Sequence, residues 1–124
     1  MKKAISAIIL SGLWITLSEF FRNEFLFKNI WVGYYNSLGL KFTTTAVNGL
    51  LWMVWSFTLA FIIFKLLSKF SLAQTIFISW LAAFFMMWLT IYNLRVLPLP
   101  LLIGALPLSL LEICLAGLII KKIS

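Results

Sequence analysis

The chain has 124 residues, of which 64% are hydrophobic and 10% are charged, and its mean hydropathy is +1.11. A soluble domain holds about 45–50% apolar and about 25% charged residues, so this composition argues against a water-soluble fold and predicts that the lipid bilayer surrounds much of the surface. The net charge of +7 comes from basic residues that stand singly or in pairs between apolar blocks, which is typical of membrane flanks and predicts no nucleic-acid partner.

Several kinds of reactive site are excluded by composition. Histidine and aspartate are absent, and Cys114 is the single cysteine. Most metal sites and most nucleophilic triads depend on these residue types. The sequence therefore predicts no metal and no cofactor, and it argues against an enzyme.

Four apolar blocks are long enough to cross a bilayer, because hydrocarbon about 30 Å thick takes about 20 residues of helix. In chain order they cover about residues 4–21, 46–64, 72–92 and 99–120. The first block follows two lysines as a secretory signal would, but no small-x-small cleavage motif follows it. The predicted fold is all-α: an integral, multi-pass membrane protein whose residues 1–124 form a single domain of four transmembrane helices.

Turn residues support these boundaries. Ser71 and Gln74 have the spacing of a capping box before the third span, and Thr45 is placed to cap the second. Pro98 and Pro100 suit the start of the fourth helix and disfavour continuation of the third.

The long connection between the first two spans, from about residue 24 to 44, is rich in aromatic residues. Aromatic rings with polar edges favour the headgroup zone of a membrane. We expect an interfacial aromatic loop that lies on the membrane surface, with Gly33 and Gly39 as helix breakers, or alternatively a re-entrant loop. Its aromatic residues are Phe25, Phe27, Trp31, Tyr34, Tyr35 and Phe42.

Basic residues predict the orientation. Six lie on the side of the termini and four on the other side, so the positive-inside rule places both termini in the cytoplasm. The small difference leaves dual topology open. The first group is Lys2, Lys3, Lys65, Lys69, Lys121 and Lys122, and the second is Arg22, Lys28, Lys41 and Arg95.

A polar cluster is predicted at the outer end of the bundle. On a helix, Glu19 faces both Arg22 and Asn23, three and four residues later. Counting helical rise from the membrane surface places further polar residues at a similar depth. The predicted members are Glu19, Arg22, Asn23, Asn48, Asn93 and Arg95. Two interpretations stay open: a structural clamp between helices, or the mouth of a cavity that selects a polar solute.

Glu112 is predicted to be an intramembrane acid, because it lies nine residues before Lys121, or about 13–14 Å from the inner surface. A lone carboxylate in hydrocarbon costs several kcal/mol, so we expect it to face protein. Pro107 predicts a helix kink nearby, since it removes one helical hydrogen bond. No basic residue is predicted at this depth, and the expected partners are hydroxyls such as Ser11, Ser56, Thr58, Ser79 and Ser109.

Small and polar residues recur along one face of each span, and such residues mark helix contacts in membranes. They do not reveal whether the faces meet each other or a second copy. The first functional hypothesis is a small channel or carrier for a proton, ion or small polar solute, acting as a homo-oligomer. The alternative is an accessory subunit of a larger membrane complex, and an enzyme acting on lipid is the weakest option.

Overall fold

The computed structural model describes residues 1–42 and 45–124, and this part of the chain is built from helices without strands. Helix α1 (Lys2–Phe21) continues through a π-helical turn (Arg22–Leu26) and is followed by α2 (Lys28–Ser37) and α3 (Ala46–Leu67). Next come α4 (Leu72–Trp80), a second π-helical turn (Leu81–Phe85) and α5 (Met86–Asn93). A 3₁₀ turn (Leu99–Leu101) leads into α6 (Leu102–Ile123).

Four helical segments are long and apolar enough to cross a membrane, which confirms the all-α fold class. We call them the first to fourth spans: Lys2–Leu26, Ala46–Leu67, Leu72–Asn93 and Leu99–Ile123. They have 22 to 25 residues each, which corresponds to about 33–38 Å at the helical rise of about 1.5 Å per residue.

The capping chemistry expected from the sequence is present. Ser71 Oγ accepts from the Gln74 backbone N–H at 3.2 Å, and Gln74 Oε1 accepts from the Ser71 N–H at 3.1 Å. Thr45 also forms a capping box, because Asn48 Oδ1 accepts from the Thr45 N–H at 3.2 Å. Both boxes satisfy N–H groups that a helix start leaves without partners, and so they fix the beginnings of α3 and α4.

The four spans pack around one another in chain order. The first span contacts the second and fourth, the third contacts the same two, and the second also touches the fourth across the middle. This arrangement places the termini and the turn between α3 and α4 at one end of the bundle, which we call the terminal end. Helix α2 belongs to the opposite end, which we call the α2 end.

The terminal half of the bundle has a closely packed apolar core. Its side chains come from the first, second and fourth spans and are at most 5% exposed: Ala7, Leu59, Ala60, Ile63, Ile113, Ala116 and Ile120. Small residues bring the helices together, and an added Cβ at Gly12 would overlap the ring of Phe57.

The segment expected to be an aromatic loop contains the ten-residue helix α2, which has no buried residue. Gly33 lies inside α2 and does not break it, since a glycine costs a helix only about 1 kcal/mol relative to alanine. Gly39 does end the helix, with φ of 73° and a bond from the Leu40 N–H to the Tyr35 carbonyl at 2.9 Å. The last residues of the expected loop, Thr43 and Thr44, lie outside the described residues.

Candidate functional site

Three ionisable side chains meet inside the bundle: Glu19, Arg22 and Glu112. Their exposed fractions are 3%, 6% and 1%. Arg22 Nη2 donates to Glu19 Oε1 at 2.5 Å, and Arg22 Nη1 lies 3.8 Å from Glu112 Oε1. We call this group the buried triad. It brings two carboxyl groups to one guanidinium.

Local helix geometry positions Arg22. It lies three residues after Glu19, so the two side chains share one face of the first span. The π-helical turn begins at Arg22, where the Phe27 N–H donates to the Arg22 carbonyl at 2.9 Å. The second π-helical turn contains Phe84, whose ring centroid lies 5.2 Å from Arg22 Cζ, within cation–π range. Irregular helical turns of this kind often occur at functional sites.

The contact between Arg22 and Glu112 differs from the sequence prediction, which expected no basic residue at the depth of Glu112. A depth count along the backbone ignores the long arginine side chain, which extends along the helix toward the fourth span. None of the predicted hydroxyl partners bonds to Glu112: Ser109 accepts from Trp80 Nε1 at 2.9 Å, Ser11 donates to the Ala7 carbonyl at 2.7 Å, and Ser79 Oγ has no partner among the described residues.

The triad leaves polar atoms unsatisfied. Within residues 1–42 and 45–124, neither carboxylate oxygen of Glu112 has a hydrogen-bond partner, and the same is true of Arg22 Nη1. The distance of 3.8 Å between Arg22 Nη1 and Glu112 Oε1 is too long for a direct hydrogen bond. Buried polar atoms are normally paired, so each of these three atoms is free within the described residues to make a further hydrogen bond.

A hydrogen-bonded chain links the triad to α2. Asn23 Nδ2 donates to Glu19 Oε2 at 3.1 Å, and Trp31 Nε1 donates to Asn23 Oδ1 at 3.1 Å. Both carboxylate oxygens of Glu19 are therefore occupied by partners within the chain. The orientation of Glu19 is coupled through Asn23 to the position of the surface helix.

A cavity of about 510 Å³ extends from the α2 end to the triad. Glu19 and Arg22 are among its lining residues, together with Asn23 and Thr16. Its remaining wall is largely aromatic and includes Trp31, Tyr35, Phe42, Trp52 and Trp88. Small-molecule sites are commonly clefts of about 300–1,000 Å³ with apolar walls and a few polar groups, which is the character of this cavity.

The predicted outer polar residues are not all in one place. Glu19, Arg22 and Asn23 are in mutual contact, and Asn48 lines the same cavity while serving the cap of α3. Asn93 and Arg95 are exposed and are not among the lining residues. The Arg95 backbone carbonyl accepts from Tyr34 Oη at 3.2 Å. Pro107 lies within α6, which continues through it as one helix.

The aromatic wall was not among the site residues predicted from the sequence. Two signals pointed toward it, the density of aromatic residues between the first two spans and the tryptophans within the spans, but packing or membrane interfaces explain both equally well. Among the described residues no group of three His, Cys, Asp or Glu is arranged to hold a metal ion.

Comparison with protein-family models, curated proteins and solved structures finds no match to this chain.

Proposed function

We propose that this protein is a small membrane carrier that binds and moves a proton or a small cation, with the buried triad as its exchange site. The observation that carries this proposal is that two carboxyl groups share one guanidinium inside the bundle. With both carboxyl groups ionised the triad has one negative charge in excess, and with one of them protonated it is neutral.

An unbalanced charge inside a membrane protein is costly, by several kcal/mol for each ion after relaxation. The triad becomes neutral when it takes up one further positive charge. A proton on a carboxyl group supplies that charge, and so does a cation that enters the cavity. Glu112 is the main candidate to exchange it, because both of its carboxylate oxygens lack hydrogen bonds within the described chain.

Carrier behaviour is favoured over an open channel by the difference between the two ends. The cavity reaches the triad from the α2 end, whereas buried apolar residues such as Ala60, Ile63 and Ala116 fill the terminal half. Movement across the bilayer then requires the helices to repack at the terminal end. Thr75 and Ser79, whose buried hydroxyls have no partner in the described structure, lie in that half and are available to a passing ion.

We place the terminal end in the cytoplasm, because six lysines flank the spans at that end. We also propose a homo-oligomer as the working form. Four short helices enclose little volume, so a second copy supports the repacking that transport requires.

Proton movement in proteoliposomes tests the function. The purified protein is reconstituted with an internal pH dye, and a pH gradient is imposed while valinomycin and potassium hold the membrane potential at zero. We expect dye responses faster than in empty vesicles, and we expect Glu112→Gln to abolish the difference while the variant keeps its elution profile and helix content. Arg95→Gln is the control, since it removes a charge at the same end but outside the cavity, and it should leave the rate unchanged.

Two results would contradict the proposal. Unchanged proton movement in Glu112→Gln would remove this carboxyl group from the mechanism. Wild-type vesicles that behave like empty ones, with sodium and potassium gradients also giving no flux, would argue for the alternative of a non-transporting accessory subunit. That alternative further predicts co-purification with a larger membrane protein under gentle detergent extraction.

A further inference from the structure

We infer that the cavity binds an amphipathic organic monocation, with its ammonium group beside Glu19 and its apolar part among the aromatic side chains. This inference deepens the proposed function, because it names the substrate class of the same site. It adds the shape and lining of the cavity to the charge of the triad, from which the proposed function is argued.

The sign of the ligand charge follows from the balance of the buried groups. Glu19 and Arg22 line the cavity and form an ion pair at 2.5 Å, while Glu112 adds a second carboxyl group behind Arg22. When both carboxyl groups are ionised, the sum of these three charges is negative, and low dielectric surroundings strengthen its field. A cation entering the cavity is therefore attracted, and an anion of the same shape is repelled.

The apolar part of the ligand is inferred from the aromatic lining of the cavity. The ring centroids of Trp31 and Phe42 lie 5.9 Å apart with nearly parallel planes, and Tyr35 meets Phe42 edge-on at 5.2 Å. Trp52 and Trp88 contribute further lining from the second and third spans. Aromatic faces attract ammonium groups and also pack against apolar groups, and aromatic enclosures of this kind recognise quaternary ammonium ions.

The opening of the cavity suits a ligand that concentrates at the membrane surface. Two of the aromatic lining residues are exposed, Phe20 at 58% and Trp52 at 41%. They lie on the first and second spans at the α2 end, on the side that a bilayer would cover. An amphipathic cation gathers in the headgroup zone and reaches this opening without crossing bulk water.

Proton and ligand compete for the same excess charge. When the triad holds a proton, arrival of the cation would leave one positive charge too many, so the proton leaves to water. Binding of one cation is thus accompanied by release of up to one proton. This exchange couples the ligand to the proton movement proposed above.

Calorimetry with a matched pair of water-soluble ligands tests the inference. Benzyltrimethylammonium and phenylmethanesulfonate share a benzyl group and a tetrahedral head but differ in charge. The full-length protein is titrated with each in dodecyl maltoside micelles, in two buffers of different ionisation enthalpy. We expect saturable binding of the cation alone, with proton release that shows as a difference in heat between the buffers.

Two variants locate the site. Glu19→Gln should weaken cation binding by about tenfold or more, because the negative charge nearest the ammonium group is lost. Phe42→Leu should weaken it by about threefold through loss of one ring. Phe77→Leu is the matched control, since Phe77 is 60% exposed on the third span and is not among the lining residues. It should bind like the wild type.

The outcomes separate this inference from the proposed function. Binding of the sulfonate in preference to the ammonium, or no binding of either, overturns the inference even if proton flux is observed. Cation binding that depends on Glu19 and Phe42 supports it even if no flux is observed. Competition by phosphatidylcholine, but not by phosphatidylglycerol, added to the micelles would identify a lipid headgroup as the source of the same ammonium chemistry.

Discussion

Arg95 has an unusual backbone for an arginine. Its φ is 61°, and it is the one non-glycine residue with positive φ among the described residues. It follows α5, where its N–H donates to the Tyr92 carbonyl at 2.9 Å and the Val96 N–H donates to the Ile91 carbonyl at 2.9 Å. These bonds form a Schellman motif, whose left-handed position normally holds glycine, as Gly39 does after α2. The sequence placed Arg95 in a polar cluster, but its position is set by this turn.

Replacement of Arg95 by glycine should therefore stabilise the protein. The left-handed conformation costs a residue with a Cβ about 1–2 kcal/mol, part of which is offset by the greater freedom of glycine in the unfolded chain. We expect Arg95→Gly to raise the melting temperature in micelles by about 3 °C. Arg95→Ala keeps the Cβ and should melt with the wild type. If both variants melt above the wild type by the same amount, the stabilisation comes from removal of the guanidinium rather than from relief of the backbone conformation.

The buried triad and its polar neighbours show which contacts the sequence predicts and which it does not. The partnership of Glu19 with Arg22 and Asn23 was predictable, because helical spacing alone places them on one face. The approach of Arg22 to Glu112 was not, since it depends on how the first and fourth spans pack and how far one side chain extends. Asn48 has a local role in the cap of α3 that a count of membrane depth does not reveal.

Among the elements, α2 is held by few contacts. It has no buried residue, yet it forms part of the cavity wall through Trp31 and Tyr35. It is linked to the interior by the bond from Trp31 Nε1 to Asn23 Oδ1 and by Ile30 and Trp31, which are partly buried against the core. Phe27 at its start packs against Gly104 of the fourth span. A surface helix attached in this way is expected to open more readily than the spans.

The Trp31 bond is expected to control that opening. Trp31→Phe removes the indole N–H but keeps an aromatic ring beside Phe42, so the loss is that of one hydrogen bond, about 1 kcal/mol. Amides of residues 28–37 should then exchange with deuterium about fivefold faster, while those of the four spans stay unchanged.

Tyr34→Phe is the comparison variant for this measurement. It removes an exposed hydrogen bond between Tyr34 Oη and the Arg95 carbonyl, and exposed bonds contribute less. We expect less than about a twofold change. Equal acceleration in the two variants would mean that the link to Asn23 does not hold α2 in place.

The same element marks a limit of prediction. The spans are predictable from the length of their apolar blocks, and the capping boxes from two polar residues three positions apart. Both are local signals in the sequence. Helix α2 was not predicted because Gly33 argued against a helix there. The two π-helical turns have no characteristic amino-acid composition by which they could be predicted. Such irregular turns arise from the packing of side chains such as Arg22 and Phe84 between spans.

At the scale of the whole molecule, the two ends of the bundle differ in character. The cavity and the buried triad at its inner end lie in the half near the α2 end, and apolar side chains fill the half near the terminal end. Water should therefore reach the protein interior from one side of the membrane.

Cysteine labelling tests this asymmetry. In a Cys114→Ala background, Thr16→Cys lines the cavity and should react with a charged, membrane-impermeant thiol reagent added outside intact cells. Ala60→Cys and Ala116→Cys replace residues that are 0% exposed in the terminal half, and should react about tenfold or more slowly. Fast labelling at Ala60→Cys would mean that the terminal half is hydrated, and labelling of Thr16→Cys only after the cells are opened would reverse the proposed orientation.

The order in which the triad residues are synthesised has a consequence for membrane insertion. Glu19 and Arg22 are synthesised before the other three spans, and their pairing within one helical turn lets them enter the lipid as a mutually neutralised unit. Glu112 is translated some ninety residues later. Its carboxyl group therefore meets Arg22 only when the fourth span docks against the first, so the contact that completes the site also marks the closing of the four-span bundle.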